Sequence, residues 1–254
     1  MNSLSQRHHE LRIAYLADKL RKIPHGFFSC ISGINVVIIT YDPQDRSVSN
    51  THRKRYRTTS KRGIIWSTTI NDYIAVKSEY DLLIKDWFAR YTTPPRQISY
   101  PLKKRRKDLI SFDFFKNSLP NQNKKENKHP IEYKGQIFRS KNEIIGCQVL
   151  EKYGYEFKTE ILITDGNWIE LYPDLTFYVP ELEKVFVKEI DGAIDQVVYN
   201  DHSTSRTGYY LKMGFTEGKD LITVRIGDPN NVDAEQIDNL IRAAIESSID
   251  DIII

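Results

Sequence analysis

The second half of the chain predicts an α/β domain built on a mixed sheet. Two runs of period-2 alternation flank a proline turn, helical stretches stand on either side of them, and a third alternating run follows near the end. Taken in order, Ser140 to Tyr153 has helical periodicity and Glu156 to Ile163 is a strand. Asp165-Gly166-Asn167 then turns the chain towards Trp168 and Leu171. Leu175, Phe177 and Val179 alternate with Asp174, Thr176 and Tyr178, and Val185 to Ile190 forms the next strand. Ala193 to Met213 is expected to be largely helical, with an interruption around Asn200 to Ser205. Leu221 to Ile226 alternates as a strand, and Ala234 to Ile245 is a closing amphipathic helix.

Pro180-Glu181-Leu182-Glu183 is too short for anything but a tight connection, and its proline cannot continue a ladder, so the flanking strands form an antiparallel hairpin. Counting outward from the turn puts Asp174 opposite Glu189. Two carboxylates would then stand about 5 Å apart across strands, where like charges destabilise a sheet. A hard divalent cation reverses the sign of that interaction, because Mg²⁺ prefers carboxylate oxygens, water and phosphate. A one-residue slip in register, or a solvated strand end, is the alternative. Ser140 and Glu143 also satisfy the capping-box pattern, so Glu143 is either a helix cap bonded to the Ser140 backbone N–H or a third acid of the site.

Ser140-Lys141-Asn142-Glu143, Tyr172-Pro173-Asp174-Leu175-Thr176, and Glu189 followed by Gly192, Asp195 and Tyr199 at offsets of three, six and ten resemble the PD-(D/E)XK nuclease superfamily. The nearer likeness is to a bacterial branch whose third strand ends in Trp-Glu-His and which carries a Lys, an aromatic residue and a Gly further on, matched here by Arg206, Tyr210 and Gly214. It covers about residues 134–244. The resemblance implies a restriction-endonuclease-like mixed-sheet sandwich that uses Mg²⁺ or Mn²⁺ to hydrolyse DNA. Asp174 and Glu189 would be metal ligands, Glu143 a supporting ligand and Arg206 a catalytic cation. Two positions depart from the pattern: Ile190 stands where the branch has His, and Asp191 where the superfamily has Lys. Lys188 is adjacent, but strand alternation points it away from Glu189. Arg206 is therefore the better stand-in, although a guanidinium can steady charge and cannot act as a base. A nuclease-like module that has lost catalysis and only binds nucleic acid or a protein partner is the alternative.

The first half is a basic α+β region. Leu11, Ile13, Leu16 and Leu20 mark a helix ending before Pro24, and Phe27 to Ile31 and Ile34 to Tyr41 flank a turn at Ser32-Gly33. Ile70 to Tyr91 is a second helix, stopped by Pro94 and Pro95. Residues 1–134 hold 26 Lys and Arg against 12 Asp and Glu, while the remainder hold 11 against 22. An acidic site that must attract phosphate needs cations supplied from elsewhere, and the first half can supply them. Arg53, Lys54, Arg55 and Arg57, and Lys103, Lys104, Arg105, Arg106 and Lys107, are the candidate DNA-contacting residues; solvated loops are the alternative for both runs. The polar stretch 121–133 is expected as a linker between a region at 1–120 and the nuclease-like domain at 134–254.

Other classes find no footing. Neither a P-loop nor a dinucleotide fingerprint is present, so no nucleotide cofactor is expected. The six histidines show no zinc spacing, and Cys30 and Cys147 lack any CxxC context. There is no apolar run of the roughly 18 residues that would span a bilayer and no signal-peptide pattern, so a cytoplasmic protein with no membrane contact is expected. A nuclease of this size fits a defence or mobile-element setting with protein partners of that system, by association alone.

Overall fold

A computed structural model describes residues 5–22, 27–41, 51–127, 130–192, 206–226 and 233–253. The chain is mixed α/β and divides into two compact units, Met1–Tyr100 and Pro101–Ile254.

In the first unit, helix α1 (Gln6–Lys22) is followed by an antiparallel sheet of β1 (Phe27–Ser32), β2 (Asn35–Tyr41) and β3 (Thr51–Arg57), then by the long helix α2 (Lys61–Arg90). The β1–β2 hairpin forms where the alternation placed it, with Gly33 in the left-handed region at its turn. The basic run Thr51–Arg57 is a strand and not a loop. It pairs along its whole length with β2, where Val36 to Ile39 supply the β-forming residues that the run itself lacks. Val36 and Tyr56 are opposite one another and pack with Ile70 and Trp66 of α2. α2 starts well before Ile70 because the Ser60 hydroxyl accepts the Gly63 N–H and caps it.

The second unit begins upstream of the expected linker. Residues 102–108 alternate between half-buried and exposed, with Leu102, Lys104, Arg106 and Asp108 turned inward. Lys104 is paired with Asp108 and donates to the Glu183 carbonyl (2.8 Å), while Arg106 pairs with Asp220 (2.8 Å) and bonds Thr216 and Gly214. The short helix α3 (Phe112–Asn117) is held by Lys158, whose amine bonds the carbonyls of Phe115, Lys116 and Ser118. The stretch expected as a linker is docked too. Asn121 and Gln122 donate backbone N–H groups to the carbonyls of Thr159 and Glu160, and a short hairpin of β4 (Ile131–Tyr133) and β5 (Gln136–Phe138) follows. Its polar composition reflects hydrogen bonding to the domain and does not mark a boundary.

Beyond it come α4 (Lys141–Tyr153), β6 (Glu156–Thr159), a small hairpin of β7 (Ile163–Thr164) and β8 (Glu170–Leu171), β9 (Leu175–Val179), β10 (Lys184–Gly192), the described helical residues 206–212 (α5), β11 (Leu221–Ile226) and α6 (Ala234–Ile249). The strand expected over Glu156 to Ile163 stops at Thr159, because Glu160 adopts a left-handed backbone with φ 42°. β11, β10, β9 and β6 form one mixed sheet in that order. β10 pairs antiparallel with β9 and parallel with β11. Alternation assigns its two faces. Phe177 and Phe186 stack at 5.3 Å on the face that meets α4, together with Leu175 and Lys188. Val185 and Val187 pack on the other face with Phe115, Ile163, Leu171, Tyr210 and Phe215.

No helix among the described residues is long and apolar enough to cross a membrane. Of the expected helix 193–213, residues 193–205 lie outside the described residues, as do Asp195 and Tyr199.

Candidate functional site

The register of the central hairpin is the one the turn predicts. Lys184 pairs with Val179 and Lys188 with Leu175, so the next step of the same ladder sets Asp174 against Glu189. Asp174 terminates the pairing with its side chain: Oδ2 accepts the Ile190 N–H at 2.6 Å. Glu189 is buried, and its two oxygens accept from Tyr210 (2.5 Å) and from Arg206 Nη1 (2.9 Å), both on α5. Burial, then the neighbouring Asp174 charge, pushes the Glu189 carboxyl well above the usual range; burial also raises Asp174. The proximity anticipated from the sequence is thus present, together with its electrostatic cost.

Glu143 sits in the first turn of α4 in a variant of the capping box. Ser140 Oγ accepts the Glu143 N–H at 3.3 Å and donates to Glu143 Oε1 at 2.9 Å, but the other carboxylate oxygen reaches the Arg139 N–H at 3.1 Å and not that of Ser140. Capping therefore accounts for both carboxylate oxygens. Burial, then Asp174, drives this carboxyl up to about 7, so Glu143 and Asp174 sense each other's charge. The capping residue thus stands within reach of the Asp174 charge.

Lys188 lies on the face opposite Glu189, as alternation requires, yet that face does not exclude it from the site. Its amine is fully buried over Gly146 of α4 and has no hydrogen-bond partner among the described residues. A Cβ on Gly146 would lie 2.3 Å from Lys188 Nζ, so the absence of a side chain there makes room for the amine. Burial lowers its pKa to about 8 against the opposing pull of Asp174, Cys147 and Glu143. Cys147 beside it is a buried free thiol, pushed up to about 12 by burial. Lys188 and Tyr210 are the residues that sequence reasoning underweighted. The signal for the first is a lysine directly after the apolar run Val185-Phe186-Val187, facing a helix glycine. The bond of Tyr210 to Glu189 spans a contact that periodicity does not report.

The donor set has the chemistry a hard cation takes: three carboxylates, each either coupled to Asp174 or Asp174 itself. Thr176 Oγ1 and Thr223 Oγ1 are also buried without a hydrogen-bond partner, and Thr223 is aligned with Glu189 in the parallel ladder. Unfilled hydrogen-bonding capacity therefore borders the acidic pair on both faces. Against this, no three His, Cys, Asp or Glu side chains among the described residues gather closely enough to hold a metal ion as they stand. Asp191, two residues beyond Glu189, is buried as well.

The basic candidates divide. Lys54, Arg55 and Arg57 are exposed on β3 and no ion pair involves them among the described residues; Lys61 and Arg62 at the start of α2 share both properties. Arg53 belongs to the same strand, opposite Ile39. Of the second run, Lys103, Arg105 and Lys107 face solvent, whereas Lys104 and Arg106 are committed to the internal bonds described above. Comparison of the chain with protein families, curated proteins and solved structures finds no match.

Proposed function

We propose that the second unit is a nuclease core of the restriction-endonuclease-like kind, hydrolysing phosphodiester bonds in DNA with Mg²⁺ or Mn²⁺. The observation that carries this is the Asp174–Glu189 juxtaposition at the end of the β9–β10 ladder, with Glu143 coupled to it from α4. The succession of α4, three antiparallel strands, α5, a parallel strand and α6 supports the same assignment. Asp174, Glu189 and Glu143 are the residues that would hold the cation, which when bound polarises a phosphoryl oxygen and lowers the pKa of water. Arg206 is half exposed and bonds Glu189 through one nitrogen, which leaves it donors for a phosphate oxygen. Tyr210 fixes the orientation of Glu189, and Lys188 sets positive charge behind Asp174 and Glu143. Lys54, Arg55 and Arg57 of β3 and Lys61 and Arg62 of α2, exposed and in no ion pair among the described residues, supply attraction for the DNA backbone.

A binding module without catalysis is the second reading, and the buried Asp191 in the lysine position favours it. Plasmid nicking separates the two. Cleavage that needs Mg²⁺ or Mn²⁺, stops with EDTA and is lost in Asp174→Ala and Glu189→Ala supports the nuclease. DNA binding with no cleavage in either metal supports the module. Unchanged Mg²⁺ affinity in both variants removes these residues from the metal site.

A further inference from the structure

Trp168 is 96 % exposed, the most exposed of the large apolar side chains among the described residues, at the tip of the β7–β8 hairpin. The tip is fixed from within. Asp165 Oδ1 accepts the N–H groups of Asn167, Trp168 and Ile169 at 2.9, 3.0 and 3.0 Å, Thr164 Oγ1 accepts that of Gly166 at 3.0 Å, and Gly166 takes the left-handed φ of 80° the turn needs. The base is fixed as well: Ile163 and Leu171 are buried with Val187 and Tyr210, on the face of the sheet that carries Glu189. β8 then leads through Tyr172 and Pro173 straight to Asp174. An indole is therefore held in water on a rigid mount, in the same layer as the candidate site.

We propose that Trp168 is a stacking platform for a base of the nucleic acid substrate, a role that rests on the nuclease assignment. The immediate surroundings favour a base over a protein partner. Within the hairpin, residues 164 to 167 and Glu170 are exposed and polar, so the loop itself adds no apolar surface of the kind a protein hot spot requires. A single π-face is enough for a base. Asp165 and Glu170 repel phosphates, so the contact is with a base and not with the backbone. Its contribution is consequently independent of salt, unlike that of the cations on β3.

The test is binding without cleavage. The full chain in EDTA is titrated with an oligodeoxythymidylate and with the same strand in a duplex, at several salt concentrations. Emission from the exposed Trp168 should fall on binding, and Trp168→Phe should remove that part of the quenching, because the buried Trp87 and half-buried Trp66 contribute equally to both proteins. Trp168→Ala should weaken binding about 5- to 150-fold and leave the salt slope as it was. An unchanged melting curve is expected for both variants, since the side chain is outside the core. The proposal is overturned by unchanged affinity in Trp168→Ala, by quenching that persists in Trp168→Phe, by a reduced salt slope, or by failure of the wild-type chain to bind either oligonucleotide, which would return Trp168 to protein docking. Loss of metal-dependent cleavage alone would not appear in this assay, so failure of the nuclease assignment is read separately.

Discussion

Gly146→Ala puts the placement of the Lys188 amine to a direct test. In the interior of an exposed helix this change stabilises by about 1 kcal/mol, because glycine is the poorer helix former. Here the new methyl would stand 2.3 Å from Lys188 Nζ and 2.9 Å from Leu175 Cδ1, both side chains being fully buried. Contacts between such atoms are comfortable near 3.5 to 4 Å, so the amine must retreat by about an ångström into packed surroundings. Overpacking of this kind costs about 1–3 kcal/mol, which cancels or outweighs the helix gain. Lys188→Ala removes the obstacle, and Leu175 can then turn into the vacated volume. In that background Gly146→Ala should stabilise, so the two substitutions should couple by about 1–3 kcal/mol in urea denaturation. A Gly146→Ala protein that is about 1 kcal/mol more stable than wild type, with the same increment in the Lys188→Ala background, would refute the burial of the amine over α4.

Three further outcomes are expected. Glu143→Gln keeps a capping oxygen and removes the charge, so stability should change by no more than about 1 kcal/mol while metal-dependent cleavage drops sharply; intact cleavage would leave Glu143 a cap only. In EDTA the melting temperature should fall as pH rises from about 4.5 to about 7 for Glu143 and on to about 8 for Glu189, since folded carboxyls with raised pKa hold protons the unfolded chain releases. Mg²⁺ should restore stability at the alkaline end and not at the acid end; a flat profile in EDTA would contradict the coupling. Neutralising Arg53, Lys54, Arg55 and Arg57 together should weaken DNA binding and flatten its salt dependence by about 0.9 per lost phosphate contact, measured by isotherms at several salt concentrations.

What the sequence disclosed depended on how local its cause was. The Asp174–Glu189 pairing followed from period-2 alternation and one short turn, both local, and the ladder has that register. β3 was missed as a strand because Thr51 to Arg57 is mostly charged; its strand character comes from Val36 to Ile39 across the ladder. Alternation assigns Lys188 to the face opposite Glu189, where it lies, but it does not report that the amine reaches the charges of Asp174 and Glu143. A lysine stem is long enough to bring its amine under the strand end when the helix opposite has a glycine. The stretch expected as a linker at 121–133 is polar because Asn121 and Asn123 use their side chains to bond Thr159 and Glu160, and Arg139 beyond it bonds its backbone.

The pairing of the Lys103 to Arg105 backbone with residues 251–253 has a consequence for how the second unit can be cut. The Arg105 N–H donates to the Asp251 carbonyl at 2.7 Å, the Ile253 N–H to that of Lys103 at 2.8 Å, and Lys104 forms a bridge with Ile252. Two segments separated by most of the unit thus run side by side. A fragment starting at residue 121 or 134 would strip a partner from residues 251–253 and leave Asp220 without Arg106, whereas one starting at Pro101 retains both. The same adjacency makes the unit a candidate for circular permutation: a short glycine-rich splice between residues 253 and 101 needs to span little distance, and new ends opened in the exposed Asp165–Asn167 loop would interrupt neither β9, which follows Asp174, nor β10, which carries Glu189.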